Sequence, residues 1–222
     1  MTKPNPGQTL TSAGRIPLWV KLVYTAFVCV LVPYYWVAYT PWNFLYFCDI
    51  ALLITLAGMW LESPFLISTQ AIAIVLMQML WVVDFVARLV TGLHITGITG
   101  YMFNSGIPLF VRGLSLFHGW LPFLLLWLVV RLGYDRRALG AQSVFAIVVL
   151  LVCFFLAPAP LPSVGRTNAA VNINYVYGFD DAHPQTWMAP GLWFSLLTTV
   201  NLVCFYLPTH ACLRKWFPLA RT

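Results

Sequence analysis

Six apolar segments, each close to the length of a membrane-spanning helix, occupy most of this sequence. A helix that crosses the hydrocarbon core of a bilayer needs about 20 predominantly apolar residues. The six segments that approach this length are 18–38, 42–60, 65–83, 113–130, 138–157 and 190–207. We therefore expect an all-α, polytopic membrane protein with six transmembrane helices.

The composition indicates that lipid is the solvent for much of the chain. Only 8% of the residues are charged and 61% are apolar, whereas about 25% of the residues in a typical soluble domain are charged. The net charge of +6 does not indicate a nucleic-acid partner, because the basic residues lie at the ends of the apolar segments rather than in one patch. A membrane lipid is the partner that this composition favours.

The chain is predicted to form one domain with short flanks. Residues 1–17 are polar and lack the apolar core of a signal peptide. We expect them to form a cytoplasmic N-terminal segment, followed by a six-helix domain at 18–208 and a basic cytoplasmic tail at 209–222. The long connection at 84–112 contains four glycines, and we expect a short or re-entrant helix there.

The distribution of basic residues predicts the orientation. With the N-terminus placed in the cytoplasm, nine of the twelve Lys and Arg residues fall on the cytoplasmic side, namely Lys3, Arg15, Lys21, Arg131, Arg136, Arg137, Arg214, Lys215 and Arg221. The outer side carries Arg88, Arg112 and Arg166. The positive-inside rule therefore predicts a multi-pass protein of the cell membrane with both termini in the cytoplasm.

Three side chains capable of chemistry share one depth in this topology. Cys48 and Asp49 lie six to seven residues from the outer end of the second segment, a depth of about 10 Å. His118 lies six residues past Arg112 in the fourth segment, a depth of about 9 Å. An ionisable group inside a span costs several kcal/mol unless it is paired or faces a cavity. We therefore expect Asp49 and His118 to have partners and to lie near each other.

Each of these residues has a functional and a structural interpretation. Cys48 is either a nucleophile, which needs a nearby base, or a small apolar residue that fills space. His118 is either that base or a partner in an interhelical hydrogen bond. Asp49 either orients His118 or pairs with Arg88 or Arg112.

Charged residues at the outer side are further candidates for substrate binding. Asp84 and Arg88 have the i,i+4 spacing of an ordinary helical salt bridge, which we favour over a functional role. Arg112 either binds a lipid phosphate or extends its side chain to the membrane interface, and we favour the second.

The outer loop between the fifth and sixth segments adds polar side chains. Residues 172–178 have alternating apolar positions and form either a short strand or, as we favour, an extended loop whose asparagines fix turns. Asn172, Asn174 and Tyr175 are the candidate substrate-binding residues of this loop, and the two asparagines either donate to an oxyanion or shape a lid. Without a dense cluster of His, Cys and carboxylates, we expect no metal site.

Three landmarks in this order resemble a known family. They are residues 42–49 (WNFLYFCD), 117–119 (FHG) and 172–177 (NINYVY), the last followed by Pro184, Trp187, Pro190 and Trp193. The pattern resembles the bacterial YwaF-type integral membrane proteins. Those are similar to a eukaryotic transmembrane family that moves fatty acyl chains between phospholipids, and more distantly to the androgen-regulated transmembrane threonine hydrolases, which cleave fatty acid esters of hydroxy fatty acids.

The resemblance implies a function in lipid chemistry. A Cys and a His carry catalysis in the acyltransferase family, and by position they match Cys48 and His118. We therefore expect a lipid acyltransferase or lipid ester hydrolase that acts in the outer leaflet, with Asp49 as a third catalytic residue and no cofactor. The alternative is a non-enzymatic membrane protein that binds a lipid or partner in an outer cavity, and the oligomeric state stays open. A transporter is less favoured, because the sequence shows no internal repeat.

Overall fold

The computed structural model describes residues 16–162 and 170–220. Within these ranges the expected all-α, polytopic fold is confirmed. The α-helices are α1 (Leu18–Tyr39), α2 (Phe47–Trp60), α3 (Pro64–Thr91), α4 (Leu109–Ser115), α5 (Phe117–Leu132), α6 (Ala138–Phe155), α7 (Pro190–Val200) and α8 (Leu207–Trp216). Three 3₁₀ turns cover Pro41–Leu45, Gly100–Phe103 and Ile173–Tyr175, and a π-helical segment, Asn201–Tyr206, joins α7 to α8. Four of the basic residues used to predict the orientation lie outside the described residues, namely Lys3, Arg15, Arg166 and Arg221. Most of the expected N-terminal segment also lies outside them.

Five stretches are long and apolar enough to cross a membrane, and α2 is a shorter apolar helix. The five stretches are Leu18–Tyr39, Pro64–Thr91, Leu109–Leu132, Ala138–Phe155 and Pro190–Trp216. The predicted start of the second span at residue 42 is wrong, because α2 begins at Phe47. Pro41 instead opens a 3₁₀ turn, and Tyr46 has extended backbone angles (φ −61°, ψ 136°) that separate this turn from the helix.

Two other predicted ends are corrected. Helix α3 continues past the predicted end at residue 83 to Thr91, where Gly92 caps it in the left-handed conformation (φ 75°). The last helical stretch continues past residue 207 to Trp216, so most of the tail predicted at 209–222 is helical. Its π-helical segment ends at Tyr206, two residues before Pro208, whose missing N–H interrupts the α-helical ladder.

Helix α3 is the central element of the bundle. It packs against α2, α5 and α6, and its residues Ile67, Ala71 and Ile72 are almost completely buried. Ser63 begins the helix, since its Oγ accepts a hydrogen bond from Leu66 N at 3.3 Å. Asp84 and Arg88 lie on this central helix itself.

One end of the bundle carries the long connections, and we call it the loop end. It comprises the end of α1, the start of α2, the ends of α3 and α6, the starts of α4 and α7 and the connections between them. Hydrogen bonds across the connections define it: Ala170 N donates to Tyr39 O at 3.1 Å, and Trp193 Nε1 donates to Tyr175 O at 2.9 Å.

The opposite end carries most of the described basic residues, and we call it the basic end. It comprises the start of α1, the connections 61–63 and 133–137, and the chain after Leu213. Lys21 Nζ lies 2.7 Å from Glu62 Oε1, and Asp135 N donates to Ser68 Oγ at 2.9 Å. These contacts bring together the segments that the charge distribution assigns to one side of the membrane.

Candidate functional site

The start of α2 holds the first part of the site. The 3₁₀ turn at Pro41–Leu45 folds Asn43 back over the first helical turn, where Asn43 Nδ2 donates to Asp49 Oδ2 at 3.0 Å. The thiol of Cys48 donates to the same oxygen at a sulfur–oxygen distance of 4.0 Å. A thiol, a carboxylate and an amide therefore form one buried group at the loop end.

Only one of the two carboxylate oxygens of Asp49 has hydrogen-bond partners in this group. Its side chain is 3% exposed, and its second oxygen, Oδ1, is buried without a hydrogen-bond partner among the described residues. The expectation that Asp49 orients His118 or pairs with Arg88 or Arg112 is wrong, because its hydrogen bonds go to Asn43 and Cys48. The 3₁₀ turn, which the sequence did not predict, supplies the nearer donor.

His118 lies in the first turn of α5, just after the break between α4 and α5 at Leu116. Its Nδ1 is 2.8 Å from Ser115 O, and its ring stacks on the Trp81 ring at a centroid distance of 5.5 Å. Within the described chain, no hydrogen bond joins His118 to Cys48. The interhelical contact of His118 is therefore with an aromatic ring of α3.

Tyr101 links the group around Cys48 to the stacked rings of His118 and Trp81. This residue was not identified from the sequence. Its hydroxyl accepts a hydrogen bond from Trp81 Nε1 at 3.2 Å, and it lies close enough to Cys48 for electrostatic interaction. Burial raises the pKa of Tyr101, so the phenol keeps its proton and can donate a hydrogen bond. The only sequence signal was an aromatic residue directly after Gly100 in the glycine-containing connection.

Asp84 organises that connection. Its Oδ1 accepts hydrogen bonds from the backbone N–H groups of Thr96 (2.7 Å) and Gly97 (3.3 Å). Its Oδ2 accepts from both the backbone N–H (3.1 Å) and the hydroxyl of Thr99. The salt bridge expected between Asp84 and Arg88 is not formed in the described structure, because the carboxylate is saturated by the loop that follows α3. These bonds explain the burial of Asp84 without a ligand.

Arg88 and Arg112 hold the turn that carries Tyr101. The Arg88 guanidinium lies 4.4 Å from the centre of the Phe103 ring, and Arg112 Nη1 donates to Met102 O at 3.1 Å. Arg88 Nη1 and Arg112 Nε are both buried without a hydrogen-bond partner among the residues that the structure describes. Two guanidinium groups with free donors therefore flank the same 3₁₀ turn whose tyrosine is near Cys48.

The outer loop is a series of turns rather than a strand, as we favoured. Asn172, Asn174 and Tyr175 have positive φ angles of 49°, 57° and 61°, a conformation that asparagine tolerates better than most residues. The Asn172 amide donates to Gly178 O at 2.9 Å, and its oxygen accepts from Tyr177 N at 3.0 Å. Asn172 therefore shapes the loop.

Asn174 fastens this loop onto the start of α2. Its Oδ1 accepts from Phe47 N at 3.1 Å, and its Nδ2 donates to Leu45 O at 2.8 Å and approaches Cys153 Sγ at 3.5 Å. It thus caps α2 from another segment and satisfies an N–H that the helix itself leaves free. Both asparagine side chains have protein partners, which supports their role in shaping a lid.

Tyr175 lies within electrostatic range of the Cys48 thiol. Burial raises its pKa to about 12, with smaller contributions from the nearby Asp181 and Cys48. Its hydroxyl is therefore a protonated hydrogen-bond donor at neutral pH. Tyr101 and Tyr175 are thus two phenols from different connections that lie within electrostatic range of Cys48.

An apolar groove of about 510 Å³ lies beside this site, between α1 and the start of α4. Tyr34 and Phe110 line it and pack edge to face at a centroid distance of 5.2 Å. The neighbouring Tyr35 turns inward, where its hydroxyl lies 3.1 Å from Ser115 Oγ and within electrostatic range of Asp49 and Tyr101. Two consecutive residues of α1 thus face the groove and the interior of the bundle.

No protein-family model, curated protein or solved structure matches this chain. The resemblance to the YwaF-type membrane proteins therefore stays a prediction. Among residues 16–162 and 170–220, no group of three or more His, Cys, Asp and Glu side chains is arranged to hold a metal ion. The candidate site therefore consists of one thiol, one carboxylate with an oxygen that has no partner among the described residues, two phenols and two arginines.

Proposed function

We propose that the protein carries out acyl chemistry on a membrane phospholipid at the loop end, with Cys48 as the nucleophile. The observation that carries the proposal is the contact between the Cys48 thiol and the buried carboxylate of Asp49. A cysteine attacks an ester as the thiolate and needs a base within reach of its proton. Asp49 is the base that this geometry favours, in place of His118.

The chemical step follows from these positions. The thiol proton passes to Asp49, and the sulfur attacks the ester carbonyl carbon to form a tetrahedral oxyanion. The C–O bond of the ester then breaks, and the leaving lysolipid oxygen takes the proton from Asp49. The acyl chain remains on Cys48 as a thioester until water or a second lipid hydroxyl, deprotonated by Asp49, attacks it and frees the thiol.

Two phenols support the charged intermediate. Tyr101 and Tyr175 both lie within electrostatic range of Cys48, and both are protonated because burial raises their pKa. Donors of this kind, aimed at a developing oxyanion, lower the barrier of acyl transfer by several kcal/mol. His118 serves in this proposal as a positioning residue, because it supports Tyr101 through the ring of Trp81.

The remaining features fit the two ends of a phospholipid. The free guanidinium donors of Arg88 and Arg112 are suited to a phosphate, for which arginine is the preferred partner. The apolar groove beside Tyr34 and Phe110 is suited to an acyl chain. With the loop end placed outside by the positive-inside rule, the ester would lie in the outer leaflet of the cell membrane.

The alternative is a membrane protein that binds a lipid at the same place without reacting with it. One observation favours this alternative: the His118 imidazole bonds to Ser115 O and not to the thiol. In that case Asp49, Arg88 and Arg112 would hold a headgroup, and Cys48 would fill space.

Labelling by a long-chain chloromethyl ketone separates the two functions. The full-length protein in detergent would be treated with the probe, and the alkylated cysteine would be located by mass spectrometry. We expect Cys48 to be alkylated in the native protein, more slowly in Asp49→Asn, and not in Cys48→Ala. Cys153→Ala is the matched control, because Cys153 also lies at the loop end but is buried and has Asn174, not a carboxylate, as its hydrogen-bond partner. Equal labelling of native protein and Cys48→Ala would overturn the proposal.

A further inference from the structure

The basic end contains a second polar site that is independent of the chemistry at Cys48. After Trp216 the chain returns to the connection between α5 and α6: Tyr134 N donates to Pro218 O at 2.7 Å, and Ala220 N donates to Tyr134 O at 2.9 Å. Gly133 permits this contact, because it has a φ of 89° and a side chain there would lie 2.6 Å from the Ala220 backbone. These hydrogen bonds therefore hold the connection between α5 and α6 against the chain that follows α8.

This arrangement places three cationic or titratable side chains together. His210 and Arg214 lie one helical turn apart on α8, and His210 is within electrostatic range of both Arg214 and Arg136. Tyr134 fixes the imidazole, since its hydroxyl lies 2.6 Å from His210 Nδ1. Burial raises the pKa of Tyr134, so the phenol keeps its proton and donates to Nδ1. The imidazole proton then resides on Nε2, where it can be donated to a ligand.

Among the described residues, no acidic side chain forms an ion pair with either arginine. Its six acidic residues are Asp49, Glu62, Asp84, Asp135, Asp180 and Asp181. Only Glu62 and Asp135 lie at the basic end, where Glu62 pairs with Lys21 and Asp135 pairs with Arg137 at 2.7 Å. Neither Arg136 nor Arg214 forms an ion pair with the residues that the structure describes. Both arginines are exposed, so an anion from outside the chain can reach them.

We propose that Arg136, His210 and Arg214 form a binding site for a phosphate-bearing anion at the basic end. Arginine donors on two different segments match the several oxygens of one phosphate. The anion has two sources: the headgroup of an anionic phospholipid in the adjacent leaflet, or a phosphate compound in solution. In either case the bound anion would link α8 to the connection between α5 and α6.

The test is anion-dependent stabilisation of the purified full-length protein. Unfolding midpoints would be measured in an uncharged detergent with increasing inorganic phosphate, and in nanodiscs of phosphatidylcholine with or without phosphatidic acid. We expect a rise in midpoint with at least one of these anions. Stabilisation by inorganic phosphate assigns the site to soluble phosphates, and stabilisation by phosphatidic acid alone assigns it to a lipid headgroup.

Matched variants locate the effect. Arg136→Gln and Arg214→Gln are expected to weaken the apparent affinity about tenfold each, since each removes a charge-assisted hydrogen bond. Lys215→Gln is the control, because Lys215 is the exposed neighbour of Arg214 and lies instead over the Trp216 ring at 5.5 Å. The control should keep the native affinity. Loss of affinity in Lys215→Gln equal to that in Arg214→Gln, or no stabilisation by either anion, would overturn the proposal.

Discussion

Two buried carboxylates at the loop end have opposite surroundings. Asp84 receives four hydrogen bonds from Thr96, Gly97 and Thr99, so both of its oxygens are satisfied by one short segment. Asp49 receives hydrogen bonds on one oxygen, from Asn43 and Cys48, and its other oxygen has no partner within the described ranges. Both side chains are almost fully buried, at 1% and 3% exposure.

Under the proposed function, the difference is that between a structural carboxylate and a reactive one. A buried charge is tolerated when hydrogen bonds satisfy it, and a free buried oxygen is unfavourable unless a ligand or a reaction uses it. The surroundings of Asp84 explain how residues 92–108 are held against the bundle. Those of Asp49 leave an acceptor free beside a thiol, which is the arrangement that the proposed acyl chemistry needs.

The largest effect is expected from Asp49→Asn. The amide keeps the shape and can still accept from Asn43, but it cannot take the thiol proton. We expect transfer or hydrolysis of a fluorescent phospholipid in proteoliposomes to fall at least about 100-fold. The free energy of unfolding should stay close to the native value, because an amide of the same shape keeps the hydrogen bond from Asn43. If Asp49→Asn instead lowered the free energy of unfolding and kept the native activity per folded molecule, the role of Asp49 would be structural.

The reciprocal variant, Asp84→Asn, should act on stability. An amide replaces one acceptor oxygen with a donor group and leaves about two of the loop donors unpaired, at about 1–3 kcal/mol each. We expect the free energy of unfolding to fall by about 2–4 kcal/mol, measured by denaturant titration in detergent. If Asp84→Asn were as stable as the native protein, the contrast between the two carboxylates would fail.

Asn174→Ala tests whether the loop over Asp49 depends on its anchor. The change removes two hydrogen bonds to backbone groups and leaves Phe47 N–H without its cap. We expect a loss of about 1–2 kcal/mol in stability and faster amide hydrogen exchange at 170–178. Asn104→Ala is a suitable control, since Asn104 lies on an exposed turn and its side chain accepts only from Gly106 N.

The smallest expected effect on stability concerns a third carboxylate, Asp135, which forms an ion pair with Arg137. A hydrogen bond from Arg137 is the main cause of the lowered pKa of Asp135. Stability from this pair is present above the unfolded pKa of about 3.9 and is lost as the pH falls through the lower folded value. The loss of stability in Arg137→Gln should therefore be small, and it should be larger at neutral pH than in strong acid.

The control for that pH dependence is Arg131→Gln. Arg131 is at the same end of the bundle but lies over the Trp127 ring at 5.1 Å rather than beside an acid. The stability difference between Arg131→Gln and the native protein should not change between neutral and acidic solution. A matching pH dependence in both variants would mean that the Asp135 pair is not its source.

Hydrophobic length was enough to predict the bundle but not the ends of its helices. Apolar runs identify spans because lipid excludes polar residues, yet an apolar residue continues equally well into a helix or a turn. Residues 42–46 are mostly apolar and still form a 3₁₀ turn, because Pro41 and the extended Tyr46 set the backbone there. Helix α3 extends to Thr91 because its true stop signal is Gly92, beyond the end of the apolar run.

The sequence predicts that Cys48 and Asp49 lie together near one end of the bundle, but it does not predict their hydrogen-bond partners. The sequence correctly brings Cys48 and Asp49 to the loop end, since neighbours in a helix share a level. Partners depend on how connections fold back, which apolar patterns do not encode. Asn43 reaches Asp49 through the 3₁₀ turn, and Tyr101 reaches Trp81 because the bonds to Asp84 fold its connection inward.

Detection of an acyl-enzyme tests the central claim most directly. The protein in proteoliposomes of phosphatidylcholine would be quenched in acid, digested and analysed by mass spectrometry for the peptide that contains Cys48. The account predicts a fatty acyl group on this cysteine that hydroxylamine removes, and its absence in Asp49→Asn. Acyl transfer that proceeds in Cys48→Ala, or a Cys48 peptide that never carries an acyl group while lipid is turned over, would contradict it.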